Sequence, residues 1–451
     1  MKIVIIGAGK ISSAIIKHAT LENHEVTVVD SDAAVIQSIV DTYDCMGLVG
    51  NGLLTETLLE AGANKADVVI AATRSDETNM LACFFAKKMG AKSTIARIRN
   101  YEYSKQLLML KGTLGITMTI NPELESAREI ARIMNFPNAL KIESFGQGNV
   151  DLVEFFVPEN SPLVGQTLYE LNKKNHLNVL VCAVERDDEI FIPKGQFKIQ
   201  ARDKIHITCE RNESRRFMTK LGFFQSRLKR VLIIGGGGIS VYLAEELLKN
   251  NFDVKIIETD PNRCEELSIT LPNATIINGD GTDQRVLDEE GIDSTDAIVC
   301  LTGNDEENII LSLYANKKKV TKIITKINKI SYGELMSSVD MASIIYPKEI
   351  TASQILSYIR ATTNSRGSQV KKIYKLVNEQ IEVLEFEASE NSKILNTQLK
   401  DLKLKNNVLI GGIIRNNEYI LPTGSTTICD KDRVIIVTNN TTLNDMDDVL
   451  V

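Results

Sequence analysis

Two short glycine-rich segments of the sequence have the residue types and spacing of a phosphate-binding loop. In the first, strand-like IVII is followed by Gly7, Gly9 and Ser12 and then by a helical stretch. The same pattern recurs in the second half of the chain, at Gly235, Gly237 and Ser240. The first glycine permits a tight turn, and the second leaves no Cβ in the path of a pyrophosphate at the positive N-terminus of the helix. Each segment therefore predicts a nucleotide-binding turn between a strand and a helix.

An acidic residue follows each loop at the distance expected for a ribose-binding carboxylate. Asp30 ends strand-like HEVTVVD after the first loop, and Glu258 ends DVKIIE after the second, at the same distance from the first glycine in both halves. A carboxylate at this position accepts hydrogen bonds from ribose hydroxyls and repels a 2′-phosphate. The pair therefore favours NAD or an adenine ribonucleotide over NADP.

The two loops differ from the usual pattern and from each other. Ser12 and Ser240 stand where a third glycine normally allows close packing of the helix on the strand, so we expect a slightly wider contact there. Lys10 adds a positive charge near the phosphates in the first loop, whereas Gly238 holds the equivalent position in the second. We therefore expect two sites that are not equivalent.

Other polar residues follow the later strands, at the edge of the sheet where open α/β proteins bind ligands. They are Gly50-Asn51-Gly52 and Gly279-Asp280-Gly281 after the third strands, Thr73-Arg74 and Thr302-Gly303 after the fourth, and Arg97 and Lys326 at the ends of the fifth. The first group can approach an adenosine and the last can reach phosphates, although turn formation or surface ion pairing explains each equally well. The acidic clusters Asp76-Glu77 and Asp305-Glu306-Glu307 are interpreted as helix caps, with a divalent-cation site as the alternative.

An internal repeat shows which elements must position these residues. ADVVIAATRSDETNM (66–80) matches TDAIVCLTGNDEENI (295–309), and Asp203 in DKIHIT matches Asp432 in DRVIIV at the same offset. The chain is therefore a tandem duplication. In each copy, short β-branched strands alternate with helical stretches, which predicts βαβ crossovers and a parallel sheet covered by helices on both faces.

A change of pattern after each parallel-sheet region marks a second kind of module. Strand-like segments at 152–157, 179–185 and 204–208, with hairpin turns at RDDE (186–189) and RNNE (415–418), predict a small α+β module. The predicted domains are 1–135 and 229–362, both Rossmann-like, and 140–225 and 368–451, both small modules. The predicted fold class is α/β, with duplicated, doubly wound parallel-sheet domains that are each followed by a small α+β module. A basic stretch between the halves is interpreted as a solvated linker, with contact to a membrane surface or an anionic ligand as the alternative.

Composition excludes several classes of function. The 451-residue chain has a net charge of −7 and no Trp, which argues against a nucleic-acid partner. Its seven cysteines are scattered without a CxxC pair, which argues against zinc binding and disulfides. No apolar run approaches the ~18 residues that a spanning helix needs, and the strand-like N-terminus does not resemble a signal peptide. We therefore expect a cytoplasmic protein that does not itself span a membrane.

No histidine of the sequence stands where a nucleotide-dependent dehydrogenase needs its proton-transfer group. None of its four histidines (His18, His24, His176 and His206) recurs in the other half or ends a strand. No nucleophile elbow, Walker loop or zinc signature is present either. We therefore expect no catalytic residues, no metal site and no enzymatic activity, so that the chain binds nucleotide without transforming it.

Together these segments resemble the TrkA family of bacterial and archaeal potassium-uptake proteins. The resemblance rests on KIVIIGAGKIS, VTVVDSD, ATRSDETNMLAC and ARIRN in the first half and on LIIGGGGIS, VKIIETD, IINGDGTD and LTGNDEENI in the second, and it covers essentially the whole chain. It implies RCK/KTN nucleotide-binding domains followed by TrkA-C modules. The candidate binding residues of the first half are then Gly7, Ala8, Gly9, Lys10, Ile11, Asp30, Asn51, Thr73, Arg74 and Arg97. Those of the second half are Gly235, Gly236, Gly237, Gly238, Ile239, Glu258, Asp280, Thr302 and Lys326.

The resemblance also implies a function. In the family, the nucleotide domains bind NAD or NADH and, in some members, ATP or ADP, and four chains form a cytosolic ring that docks on a TrkH- or TrkG-type membrane potassium-translocating subunit. We therefore expect a homotetrameric regulatory subunit, held at the inner face of the membrane by that partner. Two alternatives remain: a regulatory subunit of another cation channel or antiporter, and an NAD-dependent oxidoreductase. The sequence leaves open which nucleotide activates, whether both sites bind ligand, and whether the TrkA-C modules bind a second messenger.

Overall fold

The computed structural model describes residues 1–451 except for 101, 104–105, 107–111, 137–138, 147–148, 176–177, 188, 211–212, 214–215, 218, 220–227, 330, 333–341, 364–368, 377–379, 440–442 and 444. His176 and much of the predicted basic linker (Arg211, Arg215, Lys220 and Arg227) lie outside the described residues. The described chain divides into two compact units, formed by residues 1–126 with 346–359 and by residues 127–345 with 360–451.

The first unit contains a six-stranded parallel sheet. Its elements are β1 (Lys2–Ile6), α1 (Lys10–Leu21), β2 (Glu25–Asp30), α2 (Ala33–Thr42), β3 (Met46–Val49), α3 (Thr55–Glu60), β4 (Val68–Ala71), α4 (Asp76–Met89), β5 (Ser93–Arg97) and β6 (Met118–Ile120), followed by α5 (Pro122–Met134). The strand order is β3-β2-β1-β4-β5-β6, and every neighbouring pair is parallel. This order places β1 and its loop at the centre of the sheet and confirms the predicted Rossmann-like domain.

Alternation along β1 explains why helices cover both faces of this sheet. Ile3 and Ile5 pack into one buried cluster together with Ile15 of α1, whereas Val4 and Ile6 pack into a second cluster on the opposite face. Successive side chains of a strand point to opposite faces, so a strand buried on both sides must be apolar at every position. The run IVII meets that requirement and brings the first loop out of the middle of the core.

The first small module consists of one antiparallel sheet and a short helix. Its elements are β7 (Ala139–Phe145), β8 (Val150–Phe156), α6 (Leu168–Asn175), β9 (Val179–Arg186), β10 (Glu189–Phe191) and β11 (Lys204–Glu210), with the strand order β10-β9-β11-β8-β7. Arg186 pairs with Glu189 across the predicted hairpin turn. The α+β character predicted for this module is therefore confirmed.

The second parallel sheet repeats the first. Its elements are β12 (Arg230–Ile234), α7 (Gly238–Lys249), β13 (Asp253–Glu258), α8 (Pro261–Thr270), β14 (Thr275–Asn278), α9 (Gln284–Glu289), β15 (Ala297–Cys300), α10 (Asp305–Lys317), β16 (Lys322–Lys326) and β17 (Ala342–Ile345), followed by α11 (Pro347–Thr363). The order β14-β13-β12-β15-β16-β17 matches that of the first sheet strand for strand. The duplication inferred from the sequence is therefore a duplication of structure.

The second small module repeats the antiparallel sheet. Its strands are β18 (Gln369–Leu376), β19 (Ile381–Glu387), β20 (Val408–Arg415), β21 (Glu418–Ile420) and β22 (Arg433–Thr438), in the order β18-β19-β22-β20-β21. Arg415 pairs with Glu418 across a two-residue turn in which Asn416 and Asn417 both have positive φ, as a type I′ hairpin requires. The two small modules share an apolar cluster that includes Leu152, Cys182, Val383, Ile414 and Val437.

Helix α11 follows the second sheet in the sequence, yet it packs in the first unit. Ala352, Ile355 and Ile359 are buried in the cluster that contains Ile15 and Ile16 of α1. Their spacing of three and four positions places them on one face of the helix. Among the described residues, no helix is both long enough and apolar enough to span a bilayer.

Candidate nucleotide-binding sites

The first glycine of each loop is required by the backbone. Gly7 has φ +94°, and a Cβ added to it would lie 2.9 Å from the amide nitrogen of Thr73. Gly235 has φ +99°, and its Cβ would lie 3.0 Å from the carbonyl oxygen of Leu301. Positive φ is costly for L-residues with a side chain. Each loop therefore turns sharply against the end of the neighbouring strand, as the sequence predicts.

The second glycine of each loop faces open space. A Cβ added to Gly9 or Gly237 would meet no atom within 4 Å. Each of these glycines is the N-cap of the following helix, and neither helix has a side-chain cap at this end. The first amides of a helix have no intrahelical acceptor. A phosphate therefore fits here, because the glycine leaves room for it and the helix supplies amide donors and a positive dipole end.

The acidic residue at the end of the second strand braces the loop. Asp30 Oδ2 accepts a hydrogen bond from the Ala8 amide at 2.7 Å, and Glu258 Oε2 accepts one from the Gly236 amide at 2.7 Å. Each carboxylate oxygen has further lone pairs, so ribose hydroxyls can still donate to it. The sequence pointed to these acids as ligand-binding groups, and the structure adds that they fix the loop.

The carboxylate of Glu258 is held in its charged form. Burial raises the pKa of Glu258. Hydrogen bonds from the Asp260 and Gly236 amides and from the Thr259 hydroxyl lower it by more than burial raises it, so the net pKa lies below the ordinary value for glutamate. A charged carboxylate is a strong acceptor for hydroxyl donors and repels a 2′-phosphate.

The serine in each loop has a bonding role that its position in the sequence did not indicate. Ser12 and Ser240 are fully buried, and their hydroxyls donate to the carbonyl oxygens of Gly7 and Gly235, both at 2.5 Å. The third glycine is therefore replaced by a residue whose hydroxyl hydrogen-bonds the start of the helix to the turn.

A buried asparagine joins the ends of two strands at each site, and sequence reasoning missed it. Asn79 Oδ1 accepts a hydrogen bond from the Thr73 amide at 2.8 Å, and Asn79 Nδ2 donates to the Arg97 carbonyl oxygen at 2.8 Å. In the second copy Asn308 makes the equivalent contacts with the Thr302 amide at 2.9 Å and the Lys326 carbonyl oxygen at 3.0 Å. The asparagine shared by DETNM and DEENI was the available signal.

The interpretation of Asp76 and Asp305 as helix caps is wrong. Ser75 and Asn304 are the N-cap residues, and their side chains accept from amides of the first turn. Asp76 instead accepts hydrogen bonds from the Arg99 and Asn100 amides at 2.8 and 2.7 Å. Asp305 accepts equivalent bonds from the amides of Asn328 and Lys329. Both aspartates are buried because each holds the segment after the fifth strand against the next helix.

No set of three metal-ligating side chains occurs in the part of the chain that the structure describes. The described histidines also lie away from the loops. His18 is buried in α1, His24 precedes β2, and His206 is buried in β11.

Arg97 is the clearest unsatisfied cation at the first site. It ends β5 and is half-buried, and its buried Nε has no hydrogen-bond partner within the described structure. Burial lowers the pKa of Arg97, and the neighbouring Arg99 acts in the same direction, while Glu123 and Asp76 oppose them. An anionic ligand at the exposed part of the guanidinium would offset the cost of this burial. Lys326, the equivalent residue, has its Nζ 3.5 Å from the Leu301 carbonyl oxygen.

The remaining candidates divide into exposed side chains and turn residues. Lys10, Arg74 and Gly238 are exposed beside the loops, while Ile11 and Ile239 pack under them. The segments after the third strands form turns stabilised by their own side chains. Asn51 Oδ1 accepts from the Leu53 amide at 3.0 Å, and Asp280 Oδ1 accepts from the Thr282 amide at 2.9 Å.

One contact distinguishes the two loops. Arg263 Nε donates to the Gly236 carbonyl oxygen at 2.9 Å, whereas Val35 occupies the equivalent position in the first copy. The expected difference between the sites therefore extends beyond Lys10 and Gly238.

Two family models match the chain, each twice. The TrkA-N domain matches residues 3–122 and 231–347, and the TrkA-C domain matches residues 152–222 and 383–451. Together these matches cover most of the chain.

The chain is also similar along its full length to curated proteins. It is 34% identical over 444 residues to the Trk system potassium uptake protein TrkA homolog 1 of Methanosarcina mazei, covering 97% of each chain. It is 32% identical over 440 residues to the TrkA protein of Vibrio alginolyticus, covering 97% of this chain and 95% of the relative.

Among solved structures, the GsuK channel bound to NAD matches with a TM-score of 0.64 at 16% identity, covering 97% of this chain and 76% of the other. The GsuK RCK domain matches with a TM-score of 0.63 at 15% identity, covering 98% and 93%. These likenesses support the duplicated RCK-type fold. Taken with the duplicated loops and the two pairs of domain matches, they lead to one assignment: the chain belongs to the TrkA family of Trk system potassium uptake proteins, with tandem TrkA-N and TrkA-C domains.

Proposed function

We propose that this chain is the nucleotide-binding regulatory subunit of a Trk-type potassium-uptake system. NAD or NADH, or alternatively ATP or ADP, binds at the two loops and gates a separate membrane subunit. The observation that supports this proposal best is that the same set of phosphate- and ribose-binding features occurs in both halves of the chain. Each copy has an open second glycine, an uncapped helix end and a braced carboxylate. Packing alone gives no reason for both copies to keep this arrangement.

The chemistry of each site suits a phosphate flanked by a ribose. The helix end offers amide donors to the phosphate, Arg97 or Lys326 lies at the end of the fifth strand, and Asp30 or Glu258 accepts from ribose hydroxyls. The remaining candidate residues named above complete the two proposed sites. No described group at either loop is placed as a general acid or base, so we propose that bound nucleotide is sensed and not converted.

Regulation requires that a ligand bind two states of the protein unequally, because equal affinity shifts no equilibrium. The two sites differ in a way that allows unequal nucleotide binding, because Lys10 is present only in the first loop and Arg263 contacts only the second. We propose a homotetramer on the cytoplasmic face of the membrane, because closed symmetric assembly matches a symmetric arrangement around a pore. Its partner would be a TrkH- or TrkG-type subunit.

Calorimetric titration of the purified full chain with NAD, NADH, ATP, ADP and NADP tests the sites. We expect binding of one or more of the first four and much weaker binding of NADP. Gly9→Ala and Gly237→Ala place a methyl group in the space proposed for phosphate, so each should abolish binding at its own site without changing the fold. Ser38→Ala, at an exposed position of the neighbouring helix α2, is the control. Unchanged titrations for both glycine variants would contradict the site assignment.

A further inference from the structure

The first Rossmann domain exposes apolar side chains around its edge strand β3, at positions that are polar in the second domain. This β3-edge surface consists of Val40, Met46, Val49, Leu54 and Leu59, all exposed, with Met46 71% exposed. The residues at the equivalent positions of the second copy are Ser268, Thr275, Asn278, Asp283 and Asp288. All five positions are therefore polar in the second copy. Since both copies share the same strand order, the fold itself does not require apolar residues here.

The members of the β3-edge surface lie on both faces of this edge strand and in the segments that flank it. β3 is an edge strand, and among the described strands it pairs with β2 alone. A Cβ on Gly47 would lie 2.6 Å from Val40 Cγ2, which places Val40 against the strand. Leu48 packs in the same cluster as Leu58 of α3, so Met46, two positions earlier, lies on the face of the strand opposite to Val40. Exposed apolar groups clustered at a sheet edge mark an interaction site or an aggregation hazard.

The charge around this surface has one sign. Residues 18–64 contain eight Asp and Glu and no Lys or Arg. Asp44, Glu56 and Glu60 are exposed next to the apolar side chains, and within the described structure none of the three forms an ion pair. The equivalent stretch of the second copy, residues 246–293, contains four Lys and Arg. All four form ion pairs with neighbouring acids: Lys249 with Glu246, Lys255 with Glu290, Arg263 with Glu266 and Arg285 with Asp283.

We propose that the β3-edge surface of the first Rossmann domain docks a basic, partly apolar cytoplasmic segment of the membrane subunit; this rests on the proposed function. Cytoplasmic segments of membrane proteins are enriched in Lys and Arg. Such a segment complements an acidic rim around an apolar centre, which fixes the binding orientation and speeds association. A second copy of this chain, using the same edge, would instead bring Asp44, Glu56 and Glu60 close to their own equivalents, and like charges in contact are unfavourable.

Binding of the full-length chain to nanodiscs that hold the membrane subunit of the same organism tests this assignment. Met46→Glu with Leu59→Glu removes the apolar centre, and Glu56→Lys with Glu60→Lys reverses the rim. Each pair should weaken binding about tenfold or more, equivalent to about 1.4 kcal/mol or more. Wild-type binding should also weaken as NaCl concentration rises. Ile269→Glu, at a 77% exposed position of the second copy, is the matched control and should bind like wild type.

The outcomes separate this inference from the proposed function. If both double variants bind the nanodiscs as tightly as wild type, the docking surface is wrong and the proposed function stands. If light scattering shows that the variants change the oligomeric state, the surface contacts a second copy and the docking proposal is overturned. If wild type binds no nanodiscs, both proposals fail. Calorimetry with nucleotide should be unchanged in every variant, which shows that the first domain is folded.

Discussion

Asn79 gives the sharpest test of how the first site is held together. Its side chain is fully buried, and it joins the end of β4 to the end of β5 through the Thr73 amide and the Arg97 carbonyl oxygen. Asn79→Ala leaves both backbone groups without their partner. An unsatisfied buried group costs about 1–3 kcal/mol. Because water can enter part of the space left, we expect a combined loss of about 2–4 kcal/mol in local stability.

Hydrogen exchange at the Thr73 amide measures this loss directly. A loss of about 2–4 kcal/mol corresponds to a decrease in protection of about 30- to 1,000-fold. Nucleotide affinity at the first site should fall as well, since Arg97 is no longer fixed. Asn308→Ala is the matched control, because it should lower protection of the Thr302 amide and leave Thr73 unchanged. If Thr73 keeps its wild-type protection in Asn79→Ala, the asparagine does not hold the strand ends together and the reasoning fails.

Three further substitutions test separate parts of the structure. Gly7→Ala should lower the free energy of unfolding by about 1–3 kcal/mol in urea titrations, because its φ is +94° and the added Cβ meets the next strand; unchanged stability would contradict this. Asp30→Ala should weaken nucleotide binding about 10- to 100-fold by calorimetry, since hydrogen bonds to a charged group contribute about 1.5–3 kcal/mol; equal affinity would refute the ribose assignment. Lys322 is fully buried, and burial lowers its pKa to about 7, with Glu154 opposing. The folded state therefore binds fewer protons than the unfolded state between about pH 7 and the unfolded pKa of about 10.4, so stability should rise with pH across that window. Lys322→Met should flatten the rise, measured by unfolding at several pH values, and an equally steep rise in the variant would assign it to other groups.

The fold could be predicted largely from the sequence because its signals are local and occur twice. The apolar run of β1 between two helical stretches predicts a buried central strand, and the repeat of the loop at Gly235 predicts a second domain of the same kind. One turn could also be predicted from its residues, because the Asn416-Asn417 pair indicates the hairpin that the structure contains.

What the sequence did not reveal depends on contacts between distant residues. The apolar face of α11 shows that the helix is buried on one side, but nothing in it specifies that its partners are Ile15 and Ile16. Asp76 looked like a cap because acidic residues favour the first turn of a helix, whereas its actual partners lie beyond the end of β5. Lys322 opens a strand, where an exposed lysine is ordinary, and only the fold shows that it is buried.

The sequence predicted which residue types stand at the strand ends of the candidate sites. It did not predict the hydrogen bonds that these residues make with one another. A carboxylate after the second strand is a sequence pattern, but that Asp30 braces the Ala8 amide follows from the geometry of the turn. The role of Asn79 was equally hidden, since asparagine within a helix ordinarily suggests a solvent-facing or capping position.

Rubidium flux through the reconstituted membrane subunit tests the central claim most directly. Liposomes holding that subunit are assayed with and without this chain, across NAD, NADH, ADP and ATP, and with the combined variant Gly9→Ala and Gly237→Ala. We predict that wild-type protein makes the flux depend on the nucleotide present and that the combined variant removes this dependence while still binding the membrane subunit. Flux that is the same with and without the protein under every nucleotide would contradict the account.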